Sequence, residues 1–157
     1  LLFDSKINFM LGLASFLIAH ILLILIVVRM LKKSSISKKI IAIVPFLSVF
    51  FGLIFLLKNN LEELLIPVVI YASIISTFGI VSLLNYLIEK STSNLFLLVG
   101  AILFILSDGT LALNKFYQSE SYFPVIIMVT YVLAQYFICR FMIYKAKKSA
   151  IELTKAL

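Results

Sequence analysis

Five apolar stretches, each near the ~20 residues that a helix needs to cross a bilayer core, dominate the chain. They run over residues 7–30, 40–57, 64–88, 95–113 and 122–144. Short polar connections separate them at 31–39, 58–63, 89–94 and 114–121, and none has room for a folded domain. The expected architecture is an all-α, polytopic membrane helix bundle, forming a single transmembrane domain over residues 1–157. Composition agrees. Of 157 residues, 63% are hydrophobic and only 13% charged, and the mean hydropathy is +1.17. A globule this small could not hide so much apolar surface from water. An ordinary soluble domain and a disordered chain are both excluded. The net charge of +7 therefore reads against membrane topology before it reads as a nucleic-acid footprint, and no nucleic-acid partner is expected.

The charges sort by side. Five spans put consecutive connections on alternating faces. One face receives Arg29, Lys32, Lys33, Lys38, Lys39, Lys90, Arg140, Lys145, Lys147, Lys148 and Lys155. The other receives Lys6, Lys58 and Lys115, with Asp4, Glu62, Glu63 and Glu120. Cytoplasmic loops carry the excess of Lys and Arg. The expected localisation is thus the cell (inner, cytoplasmic) membrane, multi-pass, with the C-terminus inside. The tail 145–157 reads as a solvated stop-transfer charge run, or as a weakly amphipathic helix on the inner surface. Pro67 and Pro124 fall in first turns of helices, where a missing N–H costs little, whereas Pro45 lies inside the second span and is expected to kink it. The start Leu1-Leu2-Phe3-Asp4 has no initiator Met and is too short for a signal peptide, so further residues are expected before Leu1.

Motif chemistry is sparse. One cysteine, Cys139, allows no internal disulfide, and one histidine, His20, rules out a three-His metal site within the chain. No glycine-rich phosphate loop and no Gly-x-Ser-x-Gly occur. Attention therefore moves to polar residues inside the spans, where ionisable groups are costly and become functional candidates. Two stand out, His20 just past the middle of the first span and Asp108 in the outer third of the fourth. Tyr71 lies in the outer half of the third, and Tyr131 and Gln135 lie on one face near the middle of the fifth. Ser107, Thr110 and Asn114 flank Asp108, and Lys115 follows it by seven residues at the outer end. At about 1.5 Å per residue, Asp108 and Tyr71 fall within roughly 12 Å of the outer edge, with the others some 10 Å deeper or less. One outward-facing cavity shared by four helices is the expectation. Phe9, Gly12, Phe16 and His20 form a stripe on the first helix, with Gly12 expected to admit a close helix neighbour. Each residue also has a plainer reading. His20 and Gln135 can be interhelical glue, the tyrosines packing, and Lys115 a snorkelling cation. A carboxylate such as Asp108 must pair, protonate or meet water, which favours function.

Three segments carry a family resemblance. They are Phe9-Met-Leu-Gly12-Leu-Ala-Ser-Phe16-Leu-Ile-Ala19-His20, then Gly100-Ala101-Ile-Leu-Phe104-Ile-Leu-Ser107-Asp108-Gly-Thr-Leu111-Ala112, then Thr130-Tyr131-Val-Leu-Ala134-Gln135. In that order they resemble the YhhN family, whose animal members include lysoplasmalogenase. Leu65-Ile-Pro67-Val-Val-Ile-Tyr71 is a weaker match to the same family. The resemblance implies about eight membrane helices, so this chain would correspond to the last five. It also implies a Gly-Asp pair that would fall immediately before Leu1, supplying a second carboxylate.

The implied activity is hydrolysis of the vinyl ether of a lysoplasmalogen, a lysophospholipid, to a fatty aldehyde and glycerophospho-ethanolamine or -choline. Such hydrolysis starts with proton transfer to the β-carbon. Water then adds to the resulting oxocarbenium ion, and the hemiacetal collapses. Two carboxyl groups in different environments suit the task. Asp108 and His20 are the expected catalytic residues, Asp108 forming the acid/base pair with the second carboxylate and His20 hydrogen-bonding one of them or the water. Tyr71, Tyr131, Gln135, Ser107, Asn114 and Lys115 are the expected substrate contacts. No cofactor or metal is required by this scheme; a metal held by His20 and two Asp is the less supported variant. The alternative is a lipid or small-solute transporter using Asp108 and His20 as a proton relay. An intramembrane aspartyl protease ranks last, because its Gly-x-Gly-Asp motif is absent.

Overall fold

The structure, a computed structural model, describes residues Ser5–Lys155. It is all helical there, with no strand among the described residues. Five long helices follow in order: α1 Ser5–Arg29, α2 Ile36–Leu57, α3 Leu65–Ile88, α4 Thr92–Phe116 and α5 Phe123–Lys155, with a short 3-10 turn Glu62–Leu64 leading into α3. All five are long and apolar enough to cross a membrane. A helix is the answer hydrocarbon imposes, because every backbone N–H and C=O must find its partner within the segment.

Helix boundaries depart from the apolar stretches in an instructive way. α2 begins at Ile36, ahead of the stretch at 40–57, and so takes in Lys38 and Lys39. Long cationic stems can lie along a helix and lift their heads to the interface, so a charge does not end a span. α5 runs unbroken to Lys155. Residues 145–155 therefore extend the last helix rather than forming a separate surface helix. With no Gly or Pro after Pro124, and with Ala, Lys, Glu and Leu frequent in that stretch, nothing interrupts it. Pro45 leaves α2 continuous, while Pro67 and Pro124 sit in first turns as expected. The connection before α3 is tight enough to hold Glu62 at φ 45, a left-handed conformation that costs a non-glycine residue about 1–2 kcal/mol. Buried Leu57 and Leu61 anchor it.

The chain divides into two compact units, Leu1–Val81 and Ser82–Leu157. In the first, Val27, Ala42, Phe46, Val68, Ile75 and Phe78 are buried. In the second, α4 and α5 pack along their length as an antiparallel pair. The buried positions of α4 include Leu97, Gly100, Ala101, Phe104 and Ser107, and those of α5 are Ala134, Ile138 and Phe141. Gly100 sets the approach. A Cβ there would lie 2.8 Å from Ile138 Cγ1 and 3.2 Å from the Ala134 carbonyl oxygen. Lipid gives helices no hydrophobic reason to associate, so small residues that allow backbone approach carry the contact.

The α3–α4 turn is held by one side chain. Asn94 Nδ2 donates to the carbonyls of Asn85 (3.3 Å) and Glu89 (2.8 Å) at the end of α3. The Asn94 backbone N–H in turn donates to Ser91 Oγ, the N-cap of α4, at 3.2 Å. The Asn85 carbonyl also accepts from the Glu89 N–H at 3.0 Å and the Glu89 carbonyl from the Ser91 N–H at 2.9 Å, so Asn94 adds a second donor to each.

Two outcomes follow from this packing. Asn94→Leu keeps the branched shape and loses both donated bonds, so it should lower stability by about 1–3 kcal/mol. Gly100→Ala should destabilise by a similar amount, about 1–3 kcal/mol. The double variant Gly100→Ala/Ile138→Ala should be more stable than the two single losses summed. Denaturation midpoints in detergent check both; an additive double variant would contradict the close contact.

Candidate functional site

Polar side chains in the spans fall into three kinds. The first kind bonds to its own helix. Ser15, Ser48, Ser73, Thr77, Thr110 and Thr130 each donate a hydroxyl to the carbonyl four residues earlier, at 2.7–2.9 Å. This is the ordinary resting state of a hydroxyl in a membrane helix. The second kind joins helices, and the third comprises the ionisable groups held inside the spans, half-buried Asp108 and buried His20.

Ser107 is of the second kind. It is 2% exposed, and its Oγ crosses to α5 to donate to the Ile127 carbonyl at 3.1 Å. Thr130 Oγ1 reaches the same carbonyl at 3.2 Å. Ser107 thus ties α4 to α5 just where Asp108 follows. Asn114 is also engaged, its Oδ1 accepting from Ser119 Oγ at 3.0 Å in the connection after α4.

Asp108 is half-buried on α4, one turn beyond Phe104. The Phe104 ring meets the Tyr131 ring edge to face, with centroids 5.7 Å apart. Phe104 is fully buried and Tyr131 half-buried. The pair lies on the α4–α5 contact, one turn before Asp108 along α4. Lys115 and Gln135 are exposed. Gln135, although four residues from Tyr131, stands outside the buried stripe of Ala134, Ile138 and Phe141.

His20 belongs to the first unit and is 1% exposed. Its Nδ1 lies 2.8 Å from the Phe16 carbonyl oxygen, one turn back on α1. Two rings of α3 meet it edge on, Tyr71 at 6.3 Å and Phe78 at 5.6 Å between centroids. Tyr71 and Phe78 are seven residues apart, hence on one face of α3. His20 and Tyr71, two separate candidates of the sequence analysis, are thus brought together in this unit. Phe78 is the addition, and its i+7 spacing from Tyr71 was the available signal. Gly12 does not serve a close contact, since nothing among the described residues lies within 4 Å of where its Cβ would be. Phe9 lies outside the residues whose side chains are described. Among the described residues, no three His, Cys, Asp or Glu side chains gather in a group able to hold a metal ion.

One outcome separates tie from chemistry at Ser107. The Ile127 carbonyl keeps its Thr130 hydroxyl when Ser107 is lost, so Ser107→Ala should lower stability by only about 0.6 kcal/mol, as read from the detergent denaturation midpoint. A loss several times larger would mean that the α4–α5 pair depends on this bond.

Comparison with known proteins gives one finding. No curated protein and no solved structure matches the chain. The sequence model of the YhhN family matches residues 1–142, which takes in His20, Tyr71, the Ser107–Asp108 pair, Tyr131 and Gln135. This multi-pass membrane protein belongs to the YhhN family.

Proposed function

We propose that this chain acts as a lysoplasmalogenase-like hydrolase, cleaving the vinyl ether bond of a lysoplasmalogen by acid/base catalysis with Asp108 and His20 as catalytic residues. The observation that carries the reading is Asp108 itself. It is a carboxylate kept within an apolar membrane-spanning helix, in the family's Ser-Asp segment, one turn from the Phe104–Tyr131 ring pair. Vinyl ether hydrolysis asks for such a group. A carboxyl donates a proton to the β-carbon, and an anion or base then supports the oxocarbenium ion and takes a proton from water. The aldehyde and the free glycerol hydroxyl leave as separate products.

The remaining residues have supporting parts. Tyr71, Tyr131 and Gln135 would orient water and the glycerol oxygens. Asn114 and Lys115, at the outer end of α4, suit the polar headgroup, with the Lys115 ammonium toward phosphate. Ser107 would act through the α4–α5 tie as much as by touching substrate. The apolar chain of a lysolipid can approach through the bilayer. The excess of Lys and Arg on one set of connections supports a cell-membrane orientation with the C-terminus in the cytoplasm.

The test uses purified protein in detergent with lysoplasmenyl-ethanolamine, an ester lysophospholipid run alongside, and mass spectrometry for fatty aldehyde and fatty acid. Aldehyde from the vinyl ether alone is expected. Asp108→Asn should lower the rate by about 10²–10⁴-fold with the protein still folded. Full activity in that variant would sink the assignment. Substrate movement across proteoliposomes without bond cleavage would move the reading to transport.

A further inference from the structure

The His20 ring has a fixed polarity, which the proposed function leaves open. A backbone carbonyl oxygen only accepts hydrogen bonds. At 2.8 Å from the Phe16 oxygen, Nδ1 is therefore the nitrogen that carries the proton. In the neutral ring, Nε2 is then the lone-pair nitrogen. Burial keeps the ring from rotating freely, because His20 is 1% exposed and Phe78, fully buried, meets it edge to face at 5.6 Å and an interplanar angle of 74°. Tyr71 closes on it at 6.3 Å and 83°. Two aromatic rings one face of α3 apart thus hold one imidazole, while its own helix chooses its tautomer. An interhelical tie would need none of this, since either tautomer can bridge two helices.

We propose that Phe78 is a positioning residue that holds His20 as the Nδ1–H tautomer, so that Nε2 enters the reaction as a proton acceptor. This rests on the hydrolase reading for its chemical consequence. In that reaction the carboxyl first gives its proton to the vinyl β-carbon. Water then forms its C–O bond to the α-carbon of the oxocarbenium ion as one of its O–H bonds breaks, and that proton goes to Nε2. When the hemiacetal collapses, Nε2 returns the proton to the departing glycerol oxygen. The hemiacetal hydroxyl proton goes back to the carboxylate, and water is the only reagent consumed. Fixing the tautomer in advance removes a reorganisation step from the reacting state.

The test exploits the chain's single histidine. In the full chain labelled with 15N-histidine and placed in lipid nanodiscs, all the ring signals belong to His20. A protonated Nδ1 and an unprotonated Nε2 at neutral pH are expected. In Phe78→Leu, a mixture of tautomers should appear, with kcat on lysoplasmenyl-ethanolamine reduced about 10-fold or more and KM little changed. A protonated Nε2 in the wild-type protein, as the other tautomer or as imidazolium, overturns the proposal without needing any variant to fold. So does a Phe78→Leu protein with unchanged nitrogen signals and unchanged kcat. The expected nitrogen pattern in a protein that releases no aldehyde upholds the ring assignment and removes the hydrolase reading instead.

Discussion

A backbone amide in hydrocarbon has no water to turn to, and that single constraint reaches through the whole chain. It makes every span a helix, since only a helix satisfies its amides within the segment. It sends hydroxyls back to their own helix, as with Ser73 on Val69 and Thr110 on Leu106. In the turn between α3 and α4 it draws the Asn94 side chain onto two carbonyls at the end of α3. It also removes the usual reason for helices to pack. What remains is shape, and at Gly100 a missing side chain lets α5 approach to a distance that a Cβ would forbid.

Against that background, a side chain that departs from these habits carries information. Ser107 spends its hydroxyl on the neighbouring helix rather than its own. Asp108 keeps a carboxylate in a span. His20 is buried between aromatic edges with one nitrogen committed to a carbonyl. The stretch that the YhhN family model matches, residues 1–142, takes in all three. The proposed chemistry draws on that coincidence. A proton donor and a proton acceptor are what a vinyl ether needs, and Asp108 and His20 are the groups of the chain proposed for those parts.

Much of the fold was legible in the sequence, because apolar length and charge placement are properties of the chain itself. The five spans and the first-turn roles of Pro67 and Pro124 all follow from spacing. Other features depended on partners that spacing does not name. Gly12 and Gly100 are both glycines within spans, yet only Gly100 has a helix against it. Phe78 reads as one more apolar residue until α1 brings His20 to it. Ser107 reads as a flank of Asp108 until α5 presents the Ile127 carbonyl. Helix ends were misjudged wherever charged residues stayed helical, at Lys38 and Lys39 and again beyond Tyr144.

Carbon protonation is the step on which the functional account turns, and solvent deuterium reads it directly. Turnover of a lysoplasmenyl lipid by the purified protein in D2O, with the aldehyde trapped as it forms and weighed by mass spectrometry, should give product carrying one deuterium on the carbon next to the carbonyl. Aldehyde formed without that deuterium would mean that no acid of the site protonates the vinyl ether, and the account of Asp108 and His20 as an acid/base pair would be contradicted.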